Sequence, residues 1–534
     1  MDDVLHASLL FRVLAAIGAF FGRLFSGSAV VGFLRRCWQN SALRRFAVGR
    51  LSADANYVNA SGYRAFFQRC NDRLARVSWP VRWFQNSFVG RIWHGLFRWG
   101  SESVLLGWMF RGGLTGVILT VLGLYCGVDY VLRDVLSVPV LSSLWDEALL
   151  LLSFLWILRL RMDRQEPLKA RTNPLDIPLL AFLAVGFLLM NTVFRYYSIS
   201  VDGYRATVQY MLWFFVVTRL VRDDRDFRVL YLAMVALATV IALHGIYQYI
   251  VAVPIPSNWT DQAEQSVRTR VFSIFGSPNI MGDYMVMFAP MAAGLAYYFP
   301  KTWQKLLAWA CAFAMCFACL FTMSRGAWVA MAVAVVLFCL LVDRRLFALL
   351  LVAAVAALFL PFVASRIGYL FTEQFAESTA RGGRASRWHY GLNYLEESGH
   401  PWLGLGLGMF GGAIAMQTQI IDQWDYFYLD NYYLKIMVEM GYLGFAFFVL
   451  LLAALLYVGF RCLYRSRTPK ESAEPRVQPL AAGILAGLSG VLVHCYFENI
   501  FEEPYMMAYF WMVAAMLVYL GFFRQRNKQA QTQS

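Results

Sequence analysis

From residue 114 onward, long apolar runs alternate with short polar segments along most of the chain. Apolar runs of about 20 residues match the thickness of a lipid bilayer when they fold as helices. The pattern therefore predicts an all-α integral membrane protein with about 12 transmembrane helices. Asp146 and Glu147 interrupt the second run, so the start of that helix stays open. The predicted spans are 114–132, 138–158, 175–193, 204–220, 229–252, 274–299, 304–323, 326–343, 346–364, 436–460, 479–497 and 505–523.

Residues 1–113 show a different pattern, in which arginines and aromatic residues recur at mixed spacings of three to four positions. Such spacing favours amphipathic helices that lie in the headgroup plane instead of crossing the bilayer. The segments WQNSALRRF (38–46) and FQNSFVGRI (84–92) resemble two copies of one unit. We therefore predict an N-terminal array of interfacial amphipathic helices. The alternative is a poorly ordered basic tail whose aromatic residues are incidental.

The composition also indicates a membrane protein, because 59% of the residues are hydrophobic and only 15% are charged. Ordinary soluble domains contain about 45–50% apolar residues. The formal net charge of +14 reflects arginine-rich loops and the arginine-rich N-terminal region. On such an apolar background, this charge indicates contact with anionic membrane lipids and not with nucleic acid. The nine cysteines are scattered without metal-site spacing, so neither a metal nor a cofactor is predicted.

The distribution of loop charge predicts the orientation in the membrane. With 12 spans, six loops and tails rich in Lys and Arg fall on one side, together with the basic N-terminal region. Such loops stay in the cytoplasm, so both termini are predicted to be cytoplasmic. The predicted regions are 1–113 (cytoplasmic or interfacial), 114–364 (helices 1–9), 365–435 (large extracytoplasmic loop), 436–523 (helices 10–12) and 524–534 (cytoplasmic tail).

The tight turn TMSRGAW (322–328) places Arg325 at the outer rim, between spans seven and eight. A cation at that depth needs an anion, either a carboxylate of the protein or a phosphate group. Candidate carboxylates are those of Glu439, Asp283 and Glu498, and snorkelling of Arg325 to the surface is a further alternative. The functional interpretation is that Arg325 binds the phosphate or diphosphate of a lipid-linked substrate in the outer leaflet.

Other polar side chains lie on the predicted outer face. In the segment FYLDNYYLKIMVEMGYLG (427–444), Asp430 and Asn431 stand just before the tenth span, where Asp430 alternatively caps the start of a helix. Asn279 lies at the start of the sixth span, behind Ser277, which suits a simple helix cap equally well. The side chains of these residues either face a polar cavity or cap the ends of helices.

The glycine-rich segment HPWLGLGLGMFGG (400–412) follows no convincing strand, so it does not indicate a nucleotide site. We predict a close-packed loop that brings the outer segment back onto the helical bundle. Glu439 lies nine positions after Asp430, too far along a helix to share its location. We therefore interpret Glu439 as the buried partner of an arginine.

Three motifs together resemble the O-antigen ligase and polymerase superfamily. They are SRGAW at 324–328, RASRW at 384–388 followed by HPWLGLGLGMF at 400–410, and DNYYLKIMVEMGYLG at 430–444. The resemblance extends over about residues 114–523. It implies a metal-independent glycosyltransferase with a GT-C type helical bundle, on the outer face of the bacterial cytoplasmic membrane. Such enzymes take glycan from an undecaprenyl-diphosphate carrier; ligases pass it to a lipid acceptor, and polymerases pass it to another carrier-linked glycan.

The resemblance also implies roles for individual residues. Arg325 to Val329 resembles the R-x-x-x-L signature of the ligases, and Arg384 to Trp388 matches the R-x-x-x-W element of the family. The signature histidine of the ligases, proposed to activate the acceptor hydroxyl, falls at Asp430. We predict Asp430 and Arg325 as catalytic residues. Substrate-binding residues are predicted at four positions: Arg205, Arg384, Asn431 and Asn279.

Three other interpretations stay open. A peptidoglycan polymerase of the RodA/FtsW type shares the bundle type, but its motifs match less well. A polytopic transporter or flippase of lipid-linked glycan predicts an internal repeat of six plus six spans, with helices broken at the midplane. A non-catalytic scaffold would keep the bundle and lose activity with the change of the signature histidine to Asp430.

Overall fold

The computed structural model describes residues 62–104, 106–162, 171–192, 196–255, 269–343, 346–360, 363–364, 368, 383–418, 428–467 and 476–524. In these residues the chain is mostly helical, and the β pairing consists of an isolated bridge between Gly411 and Tyr428. The all-α class is therefore confirmed for the described part of the chain. The predicted repeat unit at 38–46 lies outside the described residues, as do the other residues before 62.

The described part of the N-terminal region contains the helices α1 (Gly62–Arg76), α2 (Trp79–Asn86), α3 (Phe88–Glu102) and α4 (Gly107–Phe110). Ser87 caps α3, since its hydroxyl oxygen accepts a hydrogen bond from the backbone N–H of Gly90 at 3.0 Å. Large apolar side chains are exposed on α2 and α3, among them Trp79, Trp83 and Trp99. Exposed aromatic side chains beside arginines are typical of helices on a bilayer surface. The interfacial placement itself stays a prediction.

Apolar helices follow from residue 113. They are α5 (Gly113–Gly123), α6 (Tyr125–Tyr130, continued by a π turn at Val131–Val135), α7 (Pro139–Arg161), α8 (Asp176–Met190), α9 (Tyr197–Val208), α10 (Leu212–Leu220, preceded by a 3-10 turn at Gln209–Met211), α11 (Asp224–Val251), α12 (Pro278–Tyr298), α13 (Thr302–Phe321), α14 (Arg325–Leu341) and α15 (Leu346–Leu358). Helix α7 runs unbroken through Asp146 and Glu147, so the second apolar run is one helix.

The second half of the chain contains two short helices and three long ones. They are α16 (Arg384–Glu397), α17 (Ala413–Thr418), α18 (Tyr432–Arg465), α19 (Gln478–His494) and α20 (Pro504–Val518, ending in a π turn at Tyr519–Phe523). A 3-10 turn at Ile500–Glu502 joins α19 to α20. Helices α16 and α17 belong to the segment predicted as the large outer loop.

Five of these helices are long and apolar enough to cross a membrane: α11, α12, α13, α18, and α20 with its π turn. A sixth results if α5 and α6 with its π turn form one span, which is bent by 75°. Three shorter apolar helices, α8, α14 and α19, have 10–17 residues. These lengths indicate a membrane protein. The count of 12 spans and the GT-C arrangement stay predictions.

Helix α12 is buried along most of its length and packs against α13, α14 and α19. A Cβ atom at Gly487 of α19 would lie 2.2 Å from the carbonyl oxygen of Met287, so only glycine fits there. Close contact through small residues is a usual way for helices to associate in membranes. The start of α12, the start of α14 and the end of α19 meet at one end of the bundle. There His494 bonds Asp283 and contacts Gly326.

Candidate active site

A break at Gly441, where φ is 65° and ψ is −175°, separates the first turns of α18 from the rest of the helix. Such a break leaves carbonyl and N–H groups without partners inside the helix. The glycine-rich loop 399–412 supplies them. The N–H groups of Leu405 and Gly406 donate to the carbonyl oxygens of Val438 and Glu439, each at 2.9 Å, and those of Tyr442 and Leu443 donate to Pro401 and Trp402 at 3.0 and 3.2 Å. The loop therefore packs closely on α18, as the sequence predicts.

Asp430 lies directly before α18 and is held by two arginines of α16. Nη2 of Arg387 donates to Oδ2 of Asp430 at 2.6 Å, and Nε of Arg384 approaches the same oxygen at 3.4 Å. The two arginines are three residues apart, so they lie on one face of the helix. Nη1 of Arg387 also donates to the carbonyl oxygen of Tyr428 at 3.0 Å. Because a guanidinium group has five N–H donors, both arginines keep donors for a further anion.

Asn431, and not Asp430, caps α18. The Oδ1 atom of Asn431 accepts hydrogen bonds from the backbone N–H groups of Tyr433 and Leu434, at 3.1 and 3.2 Å. The interpretation of Asp430 as a helix cap is therefore wrong, and its carboxylate is directed to the arginines instead. The role of Asn431 in substrate binding stays a prediction. Its Oδ1 atom is already used to cap the helix.

Asn279 belongs to a second polar group next to Asp430. Its Nδ2 donates to Oε2 of Glu498 at 2.5 Å, and its Oδ1 accepts from Arg270 at 3.5 Å. Ser277 occupies the N-cap position of α12 without a side-chain hydrogen bond, so capping does not account for this polar start. Burial raises the pKa of Glu498 above its usual range, and the nearby negative charge of Asp430 raises it further. Glu498 thus joins the two polar groups.

Arg325 is the first residue of α14, and its side chain is half-buried. The hydroxyl oxygen of Ser324 accepts a hydrogen bond from the N–H of Ala327 and so fixes the start of this helix. At Gly326, a Cβ atom would lie 3.1 Å from Nε2 of His494. Because Gly326 has no side chain, the start of α14 can lie close to the end of α19. Glu498 follows the last residue of α19, His494, by four positions.

The three carboxylates that the sequence offers to Arg325 all have other contacts. Their partners are His494 for Asp283, Asn279 for Glu498 and Lys435 for Glu439. The prediction that Glu439 pairs with an arginine is wrong, because its partner is Lys435 at 2.6 Å. Lys435 and Glu439 are four residues apart on α18, which brings their side chains together on one helix face.

Arg205 lies on α9 and contacts residues of another region. Its guanidinium pairs with Glu147 of α7, and its Nε donates to Oε1 of Gln209 at 2.9 Å. These contacts do not link it to Asp430. Its predicted role in substrate binding stays a prediction.

Arg387 and Glu498 belong to this site, although the sequence reading assigned no role to Arg387 and predicted Glu498 only as a candidate partner of Arg325. The signal for Arg387 was present, because a helix over RASRW places it on the same face as Arg384. Glu498 carried no comparable signal, since only the fold brings it to Asp430. Among the described residues, no group of three or more His, Cys, Asp or Glu is arranged to hold a metal.

The model of the O-antigen ligase family matches residues 310–449 of the chain. This range includes Arg325, Arg384, Arg387 and Asp430. This match supports the O-antigen ligase and polymerase superfamily for the chain. No curated protein matches it. Similarity to the O-antigen ligase family implies a membrane enzyme of the ligase or glycosyltransferase type, with a lipid-linked glycan donor and an acceptor.

The O-antigen ligase match runs from within α13 through the first half of α18. It therefore covers the arginines and Asp430, whereas Asn279, Arg205 and Glu498 lie outside it. The resemblance in the three motifs is confirmed at the level of the superfamily.

Proposed function

We propose that this protein is a metal-independent glycosyltransferase at the outer face of the bacterial cytoplasmic membrane. It transfers or polymerises glycan from an undecaprenyl-diphosphate carrier in surface polysaccharide assembly. The observation that carries the proposal is the contact of Asp430 with Arg384 and Arg387, inside the range that matches the O-antigen ligase family. One carboxylate beside two guanidinium groups supplies a proton acceptor and donors for a diphosphate within one small volume.

The arginines act on the donor. As the bond between the anomeric carbon and the carrier diphosphate breaks, its electron pair leaves with the diphosphate oxygen. Guanidinium groups fixed in advance stabilise the growing negative charge in a site with little water. Arg325 stabilises the leaving group, while Arg384 and Asn279 bind the diphosphate. Arg384 suits this role because 44% of its side chain is exposed, against 20% for Arg387. Arg205 holds a part of the donor farther from the reacting bond.

Asp430 acts on the acceptor. Its carboxylate accepts the proton of the attacking hydroxyl while that oxygen bonds to the anomeric carbon. In the family ligases a histidine stands at this position, and a carboxylate can take the same proton. Asn431 orients the acceptor beside Asp430. The products are the elongated or ligated glycan and undecaprenyl diphosphate.

The proposed topology places this site outside and both termini in the cytoplasm. The N-terminal helices then rest on anionic lipids of the inner leaflet, with nucleic acid excluded as a partner. The exposed tryptophans and arginines of α2 and α3 support this placement, since aromatic rings and basic groups both favour the headgroup region.

The test is a gene deletion with rescue, in which surface glycan and carrier-linked glycan are both profiled. Single carrier-linked units without long chains indicate a polymerase, and long carrier-linked chains that never reach the surface indicate a ligase. Rescue by Asp430→Asn or Arg384→Ala is expected to fail. Arg98→Ala, at an exposed arginine of α3, is the matched control and should rescue. Unchanged glycans in the deletion strain, or full rescue by either site variant, would overturn the proposal.

A further inference from the structure

A pocket opens between α9, the glycine-rich loop 399–412, α18 and the 3-10 turn Ile500–Glu502. Its empty volume is about 400 Å³, including the part that is open to solvent. The part of this cavity that a water-sized sphere can occupy is about 50 Å³, several times the roughly 10–15 Å³ that one water molecule needs. Small residues form much of its wall: Gly203, Ala206, Gly408 and Gly412. At Gly412 a Cβ atom would lie 1.7 Å from Oε1 of Glu502, so glycine leaves the room that this carboxylate occupies.

Three charged side chains line the pocket, and none of them has a role in the proposed reaction. Nζ of Lys435 lies 2.6 Å from Glu439 and 3.5 Å from Glu502. The side chains of Lys435 and Glu439 are only 8% and 1% exposed. Glu502 also accepts a hydrogen bond from the N–H of Ala413, at 3.1 Å. Ionisable groups buried in this way in a membrane protein mark functional positions by default.

The charge of this group restricts the ligand. One lysine and two glutamates carry a net charge of −1 when all three are ionised, which disfavours a phosphate. A hydrocarbon chain is disfavoured too, because it cannot hydrogen-bond to the charged groups that line the pocket. The carboxylate oxygens can accept hydrogen bonds from the hydroxyl groups of a ligand. The ammonium group of Lys435 can donate hydrogen bonds to the oxygens of the same hydroxyl groups. A neutral ligand with many hydroxyl groups fits this set.

Aromatic side chains complete the lining. Tyr432 and Phe501 both line the pocket, with ring centroids 5.2 Å apart in an edge-to-face arrangement. These side chains are only 2% and 3% exposed, so they form an apolar wall that leaves little ring surface for a ligand. The polar contacts to a ligand therefore come from Lys435, Glu439 and Glu502, which suit the hydroxyl groups of a sugar.

The pocket adjoins the candidate active site. Glu502 lies four residues after Glu498 in the same connection, and Asn499 between them donates to a carbonyl oxygen of the glycine-rich loop at 2.7 Å. Tyr432, which lines the pocket, stands two residues after Asp430 in the chain. A ligand in the pocket would be held next to Asp430.

We propose that this pocket binds one sugar ring of the glycan substrate through Lys435, Glu439 and Glu502. The inference rests on the proposed function, because it takes the substrate to be a glycan. The pocket holds the chain in place while the reacting groups meet at Asp430. It takes no part in making or breaking bonds. It also gives a reason for the buried Lys435 and Glu439 ahead of the break in α18.

The test measures binding of an oligosaccharide to the full-length protein in nanodiscs by titration calorimetry. The probe is the oligosaccharide that mild acid releases from the carrier-linked glycan of the deletion strain. Ala206→Trp fills the pocket from α9, and Glu502→Gln removes one charge while keeping the side-chain shape. Ser198→Trp, at an exposed position of the same helix, is the matched control for Ala206→Trp.

We expect Ala206→Trp and Glu502→Gln each to raise the dissociation constant by about tenfold or more, because each removes contacts to the ring. Ser198→Trp should bind as the wild type does, since this position lies outside the pocket. Absence of binding by the wild type, or unchanged binding by both pocket variants, would overturn the pocket proposal. Full glycan assembly in a strain that carries Arg384→Ala would instead overturn the proposed function, so the two failures are distinguishable.

Discussion

Replacement of Gly441 by alanine should damage the site from a distance. At this residue φ is 65° and ψ is −175°, a conformation that is nearly confined to glycine. A Cβ atom there would lie 2.5 Å from the backbone nitrogen of Gly404 and from the carbonyl oxygen of Trp402. Because both neighbours are backbone atoms, no side chain can rotate away. The glycine-rich loop must separate from α18.

The expected cost follows from two contributions. Strain at a glycine-only conformation costs about 1–3 kcal/mol. Separation of the loop also breaks four backbone hydrogen bonds between the loop and α18, each with a net value of about 1 kcal/mol. The total is about 5–7 kcal/mol if all four bonds are lost. Gly399→Ala is the matched control, because Gly399 has φ 74° in the same loop but no atom within 4 Å of its Cβ position. Its expected cost is about 1 kcal/mol.

The assay is thermal unfolding of both variants in the same detergent, together with rescue of glycan assembly. Gly441→Ala should unfold at a clearly lower temperature than Gly399→Ala and should fail to rescue, since the loop carries the wall of the pocket and adjoins Asp430. Equal unfolding temperatures for the two variants would refute the reasoning. Such a result would mean that the close approach of the loop to α18 does not stabilise the protein.

Three further predictions concern pH, one arginine and the N-terminal helices. Burial raises the pKa of Glu502 to about 7 from a value of 4.5, so the folded state binds the proton more tightly than the unfolded state does. The resulting contribution to the free energy of unfolding is complete below pH 4.5 and is lost as the pH rises through 7. The loss is about 3 kcal/mol of unfolding free energy. The unfolding temperature of the wild type should therefore fall between pH 5 and 8, and that of Glu502→Gln should fall less. Parallel plots of unfolding temperature against pH for the two proteins would contradict this. Arg387→Lys keeps the charge but not both contacts, so glycan assembly should fall by about tenfold or more, whereas Arg91→Lys, at an exposed arginine, should have no effect; full activity of the first variant would contradict the role of the paired arginines. Brominated lipids should quench less fluorescence after replacement by phenylalanine of three tryptophans that are each 70% exposed: Trp79, Trp83 and Trp99; an unchanged quenched fraction would contradict their contact with the bilayer.

The apolar pattern predicted the long helices closely. The runs 274–299, 304–323 and 505–523 correspond to α12, α13 and α20 with its π turn. Pro278 and Pro504 stand in the first turn of two of these helices, where proline is tolerated, so composition and structure agree at these ends. The tenth run, predicted from residue 436, instead begins at Tyr432 and breaks at Gly441. Hydropathy does not predict such a break, because the hydrogen-bonding partners of the interrupted helix backbone lie in the separate glycine-rich loop.

The site was predictable where its residues share an element or a motif. The motif comparison identified Asp430 and Arg384, and helical spacing relates Arg384 to Arg387 and Lys435 to Glu439. The contacts of Asn279 with Glu498 and of Lys435 with Glu502 join distant parts of the chain. They follow from the packing of α12, α18 and the connection between α19 and α20, which no local pattern encodes. The wrong partner predicted for Glu439 has a different cause, because the four-residue spacing from Lys435 is a local signal that already indicates the pair.

The central claim is that Asp430 and its arginines transfer glycan from a carrier diphosphate. The most direct measurement is the release of undecaprenyl diphosphate by the purified protein in liposomes that contain its carrier-linked glycan and the acceptor. The wild type should release the carrier without added metal, and Asp430→Asn should be slower by about 100-fold or more, the usual contribution of a general base. Equal release by the wild type, Asp430→Asn and protein-free liposomes would contradict the claim.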